Sequence, residues 1–82
     1  GNMQTKPQNL LDELKRMLGL KTDAQLAEAL KTPPPVISKV RTGALLVGST
    51  MLIRMYDASG LSIDDLRELM GDTRRRARAA TQ

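Results

Sequence analysis

The chain has 82 residues, with no cysteine, no histidine and a net charge of +4. At this size it is one small domain that buries only about 60% of its unfolded surface, and disulfides, thiolate zinc sites and imidazole catalysis are all excluded. The charge is unevenly held: residues 72–82 carry Arg74, Arg75, Arg76 and Arg78 against Asp72, whereas residues 1–71 hold nine basic and eight acidic side chains. The body is therefore nearly neutral, and most of the basicity belongs to one tail. Carboxylates and hydroxyls are present but nothing gathers them into a catalytic site, so no enzyme activity, cofactor, metal or small-molecule ligand is expected. No apolar run is long enough to span a bilayer and no secretory signal is visible, which makes a cytoplasmic protein without membrane contact the expectation. Gly1-Asn2 ahead of Met3 reads as an expression remnant, with residues 1–7 as the lead-in to a domain over 8–71.

In chain order, Thr5 and Gln8 fit a capping box, with Thr5 as the N-cap of a first helix. Leu10, Leu11, Leu14, Met17 and Leu18 then form one apolar stripe, and Gly19 is a natural stop. Thr22 and Gln25 repeat the capping spacing and predict a second helix through about Lys31. Pro33-Pro34-Pro35 follow. Proline costs little in a first helical turn but disfavours helical angles in the residue before it, so the third helix is expected to begin near Pro35 and to end at Gly43. Ser49 or Thr50 can start a fourth helix with Met51, Leu52, Met55 and Tyr56 facing inward and Gly60 ending it. Ser62 and Asp65 suggest a cap for a fifth, with Ile63, Leu66, Leu69 and Met70 as its buried stripe. Beyond Gly71 the composition turns to arginine and alanine without apolar periodicity, which reads as a basic tail over 72–82. The expectation is an all-α domain of five helices.

The most informative stretch runs from Leu26 to Gly43. It reads as two short helices about a tight turn, the outline of a helix-turn-helix whose second helix enters the major groove of DNA. Leu26, Ala27, Leu30, Ile37 and Val40 supply the apolar set between the helices, and Val36, Ser38 and Lys39 are left for the outer face. The blocks Gln25-Leu26-Ala27-Glu28-Ala29-Leu30 and Val36-Ile37-Ser38-Lys39-Val40-Arg41-Thr42-Gly43, with Gly60-Leu61-Ser62-Ile63-Asp64-Asp65-Leu66 further on, resemble the Cro/CI-type (XRE) helix-turn-helix family of phage repressors and bacterial transcriptional regulators. The resemblance covers roughly residues 8–70. It implies a compact five-helix, lambda-repressor-like domain that binds double-stranded operator DNA, often as a homodimer. Three departures from the family pattern stand out: Asp23 at a position that often carries a phosphate donor, the apolar Ala44-Leu45-Leu46-Val47 in place of a basic loop, and the prolines in place of base-contacting side chains.

Each candidate residue has a plain alternative. Pro34 and Pro35 either offer apolar contact to a thymine methyl or simply rigidify the turn. Lys39 can donate to guanine O6 and N7 or to a phosphate, and otherwise is a solvated lysine. Ser38 reaches a base edge or a phosphate, or lies exposed; Val36 meets a thymine methyl or packs on the turn. Thr22, Lys31, Arg41 and Thr42 are candidate phosphate contacts, with Thr22 capping its helix in any case. Arg74, Arg75 and Arg76 suit a basic arm along the DNA backbone. Leu45, Leu46, Val47, Ile53 and Ile63 exceed the needs of the core and are candidates for a subunit interface, unless the loop folds over that core. Competing readings are the antitoxin of a toxin–antitoxin pair, with a cognate toxin as partner, and a protein-interaction module that has lost DNA binding. RNA is disfavoured, because Tyr56 is the only aromatic residue and is expected inside.

Overall fold

A computed structural model describes residues 6–71. They form five helices: α1 (Pro7–Leu18), α2 (Asp23–Ala29), α3 (Pro34–Thr42), α4 (Ser49–Ser59) and α5 (Ile63–Leu69). No strand occurs among the described residues, and none of their helices is long and apolar enough to cross a membrane. The arginine tail expected over 72–82 lies outside them.

Most of the local punctuation follows residue chemistry. Gly19, Gly43 and Gly60 close α1, α3 and α4 in the left-handed conformation, which costs glycine no side-chain clash. The Thr22 hydroxyl accepts from the Gln25 amide while the Gln25 side chain accepts from the Thr22 amide, the reciprocal capping expected for α2. Ser62 caps α5 by accepting from the Asp65 amide. The start of α1 departs from the expectation. Its N-cap is Lys6, without a side-chain hydrogen bond, and Pro7 opens the helix; Thr5 lies outside the described residues. The Lys6 amide instead donates to the Met70 carbonyl and joins the two ends of the domain.

α1 is the central element and touches all four other helices. Its Leu10, Leu11 and Leu14 are fully buried, together with Leu26, Ile37, Val40, Met55 and Leu66, and Ala27 and Leu30 are nearly so. Full burial of such a side chain is worth about 1.5–3 kcal/mol, so the core rests on a few aliphatic residues from every helix. Ala27 is small enough to let α3 lie close to α2, with which it packs directly.

Several side chains sit elsewhere than expected. Tyr56 is 51% exposed: the inward stripe of α4 runs through Met51, Leu52 and Met55 and continues into the half-buried Ala58 and Ser59, one register position away from Tyr56. Met17 is 40% exposed, and Leu69 and Ile63 are only half-buried. α3 begins at Pro34, one residue early. Val36 is half-buried against the core because it lies one turn before the buried Val40, on the same side of the helix.

The turn between α2 and α3 carries an unforced cost. α2 ends at Ala29, and Lys31 takes φ 57°, the one positive φ outside glycine among the described residues. The Lys31 amide donates to the Glu28 carbonyl and the Thr32 amide to that of Ala27, a helix ending that glycine fits best. Left-handed backbone costs a residue with a Cβ about 1–2 kcal/mol, partly offset in glycine by its greater freedom when unfolded. Lys31→Gly is expected to raise the unfolding free energy by about 0.5–1 kcal/mol in urea titrations. Lys31→Ala keeps the Cβ and should give no such gain; equal behaviour of the two variants would place the cost elsewhere.

Candidate nucleic-acid interface

α3 turns Ile37 and Val40 inward, which leaves Pro34, Pro35, Ser38, Lys39 and Thr42 exposed. Pro35, Ser38, Lys39 and Thr42 follow the spacing i, i+3, i+4, i+7, one continuous outward stripe. Its chemistry changes along its length, from pyrrolidine rings to a hydroxyl, an ammonium and a second hydroxyl.

The proline end has no hydrogen-bond donors to offer. Pro33 is the N-cap and Pro34 and Pro35 open the helix, so the three amides that would be unpaired at an ordinary helix start do not exist. The next amide, of Val36, donates to the Pro33 carbonyl at 3.0 Å. An anion therefore finds no amide cradle here, and the tip can make only apolar contact. Donors begin at Ser38 and Lys39. The other end of α3 is closed locally: the Lys39 carbonyl accepts from the Thr42 hydroxyl at 3.2 Å and from the Leu45 amide at 3.1 Å.

Beneath this stripe lies a network of charges that binds three helices together. Arg41 of α3 forks onto Asp23 of α2, with Nε and Nη2 each 2.7 Å from a carboxylate oxygen. Nη2 is also 2.9 Å from Asp12 of α1, and Lys15 Nζ of α1 is 3.1 Å from Asp23. The hydrogen bond to Asp23 raises the affinity of the Arg41 guanidinium for its proton, opposed by desolvation and aided by Asp12. The hydrogen bond from Arg41 holds Asp23 below the usual aspartate range, against desolvation and with help from Lys15. Two cations and two anions cancel. This accounts for Asp23, whose negative charge is spent inside the fold, and it removes Arg41 from the freely available phosphate donors.

The other sequence candidates are dispersed. Thr22 is exposed at the start of α2, next to the exposed Lys21; its hydroxyl accepts one bond in the cap and keeps a proton to donate outward. Lys31 is brought toward α4, where it lines a shallow groove of about 130 Å3 with Arg54 and Asp57. Leu46 is 83% exposed and Ile53 56%, while Leu45 is also exposed. Val47 and Ile63 fold partly onto the core, so the candidates for a subunit interface do not form one uniform set. Arg74, Arg75 and Arg76 lie outside the described residues. A second groove, of about 290 Å3 between α1 and α5, is lined by Glu13, Met17, Leu61, Asp65, Glu68 and Leu69, and no cation lines it. The exposure of Tyr56 corrects the expectation that it is inside, but a lone ring on α4 provides no run of stacking platforms for single-stranded bases.

The charge network was not visible in the sequence. Asp12 and Lys15 share a helix, but Asp23 and Arg41 are 18 residues apart, and only the packing of α3 across α1 and α2 joins them. No family model, no curated protein and no solved structure matches the chain.

The network carries a pH signature. Because the folded pKa of Asp23 is depressed, its stabilising contribution is complete above the unfolded value of about 3.9 and is lost as pH falls through the folded value. Urea unfolding at pH 6 and pH 3 is expected to show a drop in stability that is smaller in Asp23→Asn, so that the two proteins converge in acid. Arg41→Ala should cost about 1 kcal/mol at pH 6 by leaving the half-buried Asp23 carboxylate with Lys15 alone. An unchanged pH dependence in Asp23→Asn would contradict this.

Proposed function

We propose that the chain is a sequence-specific, double-stranded DNA-binding transcriptional regulator of the repressor kind, in which α2 and α3 act as a helix-turn-helix and α3 enters the major groove. The observation that carries this is the outward stripe Pro35, Ser38, Lys39 and Thr42 on a helix whose opposite side is fixed by Ile37, Val40 and the Arg41 fork. A major groove accepts one α-helix, and reading it requires a rigid helix with a few side chains held outward.

In this reading the parts divide the work by chemistry. Pro34 and Pro35 present apolar surface that suits a thymine methyl. Ser38 and Lys39 are the donors within reach of base edges, and the Lys39 ammonium can serve guanine O6 and N7. Thr22 and Lys21 at the start of α2 face the sugar–phosphate backbone, while the Thr42 hydroxyl, whose proton goes to the Lys39 carbonyl, has none to give a phosphate. Arg41 acts from behind by holding α3 in place. The arginines of 72–82 add sequence-independent attraction to phosphates, which the near-neutral body needs.

A protein-interaction module is the second reading, favoured by the donor-free proline tip and by the neutralisation of Arg41. The two separate in one experiment. Duplexes are first selected from a random-sequence pool by the wild-type protein, then gel-shift titrations compare the selected and random duplexes for wild type and Lys39→Ala. The expected loss on the selected duplex is about 1–3 kcal/mol beyond the loss on random DNA. Equal losses would make Lys39 a phosphate contact. Failure to select any sequence, with no binding even at low salt, would overturn the proposal in favour of the interaction module.

A further inference from the structure

α4 turns an unusual face to solvent. Met51, Leu52 and Met55 are buried, while Ile53, Arg54, Tyr56 and Asp57 are all exposed, Ile53 and Tyr56 by more than half. Ile53 stands one turn before both Tyr56 and Asp57, and Arg54 one turn before Asp57, so the four share one outward surface. It holds the largest aliphatic side chain exposed on a described helix next to the only aromatic ring in the protein. Arg54 and Asp57 have the spacing of a helical ion pair, yet they pair neither with each other nor with any other described residue. An apolar centre beside one unpaired cation and one unpaired anion is complementary to itself.

We propose that this face of α4 is the seam of a symmetric dimer, and that its occupant is α4 of a second copy of the chain. In an antiparallel pairing about a two-fold axis, the register that sets Arg54 against Asp57 of the second copy also sets Asp57 against Arg54 of that copy, which is the reciprocity that such symmetry demands. The same register puts the two-fold between positions 55 and 56, so that both Tyr56 rings lie near the axis and the Ile53 side chains come in from either side, covering the apolar surface that the monomer leaves wet. Charge order along α4 chooses the antiparallel arrangement, since a parallel one would oppose like charges. The seam runs along 11 residues, about 16 Å of helix, a small contact of the kind that makes weak dimers. This goes beyond the DNA reading and does not depend on it.

The test uses the full chain without DNA, so that failure here leaves the DNA proposal standing, and failure of that proposal leaves this one standing. Sedimentation equilibrium gives the mass against concentration. Emission anisotropy of Tyr56, the sole aromatic reporter, follows the seam itself. Wild type is expected to move from one chain to two as concentration rises. Arg54→Asp and Asp57→Arg each set like charges together and should raise the dissociation constant roughly tenfold or more, whereas the double reversal should return it to within about threefold of wild type. Both positions are exposed, so circular dichroism should be unchanged. Ile53→Asp, at another exposed position, should also dissociate the dimer and provides a reading independent of the ion pairs. A wild type that remains one chain at millimolar concentration would overturn the proposal. So would a dimer indifferent to the single reversals, one not restored by the double reversal, or one dissociated by Leu46→Asp but not by any α4 change.

Discussion

The fork of Arg41 onto Asp23 is the contact on which the geometry of the outward stripe depends. α2 has seven residues and α3 has nine, and helices this short have little stability of their own in water. Their mutual angle is set from two places. Near the turn, Leu26, Ala27, Leu30 and Ile37 pack without exposed surface to spare. At the far end, the planar guanidinium meets the carboxylate through two bonds of 2.7 Å, a pairing with directional as well as electrostatic strength. Asp12 and Lys15 extend the same network onto α1, so three helices share one set of charges. The ions are partly solvated, with side-chain exposures of 28% for Arg41 and 32% for Asp23, which limits the desolvation cost that burdens a fully buried pair.

Spending Arg41 in this way has a consequence for the surface. With the network neutral, α3 shows solvent a single cation, Lys39, and the prolines remove the amides that would otherwise favour an anion at the helix start. In the proposed DNA reading, attraction to a polyanion would then depend on a few cations and on the arginines beyond Gly71, while discrimination would depend on shape, methyl contact and the donors at 38 and 39. That reading assigns long-range pull and local recognition to different parts of the chain.

What the sequence disclosed was local, and what it concealed was register and distance. Thr22 with Gln25, Ser62 with Asp65, and the glycines at 19, 43 and 60 act within one turn of helix, so their spacing alone located the ends of elements. The buried set of α2 and α3 was legible for the same reason, being fixed by helical periodicity. Tyr56 failed by one position, because an apolar residue beside a stripe reads much like a member of it until the neighbouring helices are in place, whereas Val36, left open between packing on the turn and an outer contact, is half-buried against the core. Lys31 gave no hint of a left-handed backbone, since lysine is not a turn residue and only the close succession of α2 and α3 imposes that angle. The association of Asp12, Lys15, Asp23 and Arg41 lay beyond any local pattern. Asp23 looked like a charge of the wrong sign on a DNA-facing helix until its partner across the fold was known.

In the proposed reading, the outer stripe of α3 is the surface that meets duplex DNA. That reading is tested most directly by recording backbone amide shifts of the full chain during titration with a double-stranded oligonucleotide at low salt. The prolines have no amide signal, so the diagnostic positions are Ser38, Lys39 and Thr42, with Thr22 at the start of α2. The largest shifts are expected to concentrate there and to weaken as salt is raised, while Glu13, Met17 and Asp65 at the α1–α5 groove stay unmoved. No shift at low salt, or shifts centred on the α1–α5 groove with α3 silent, would contradict that reading.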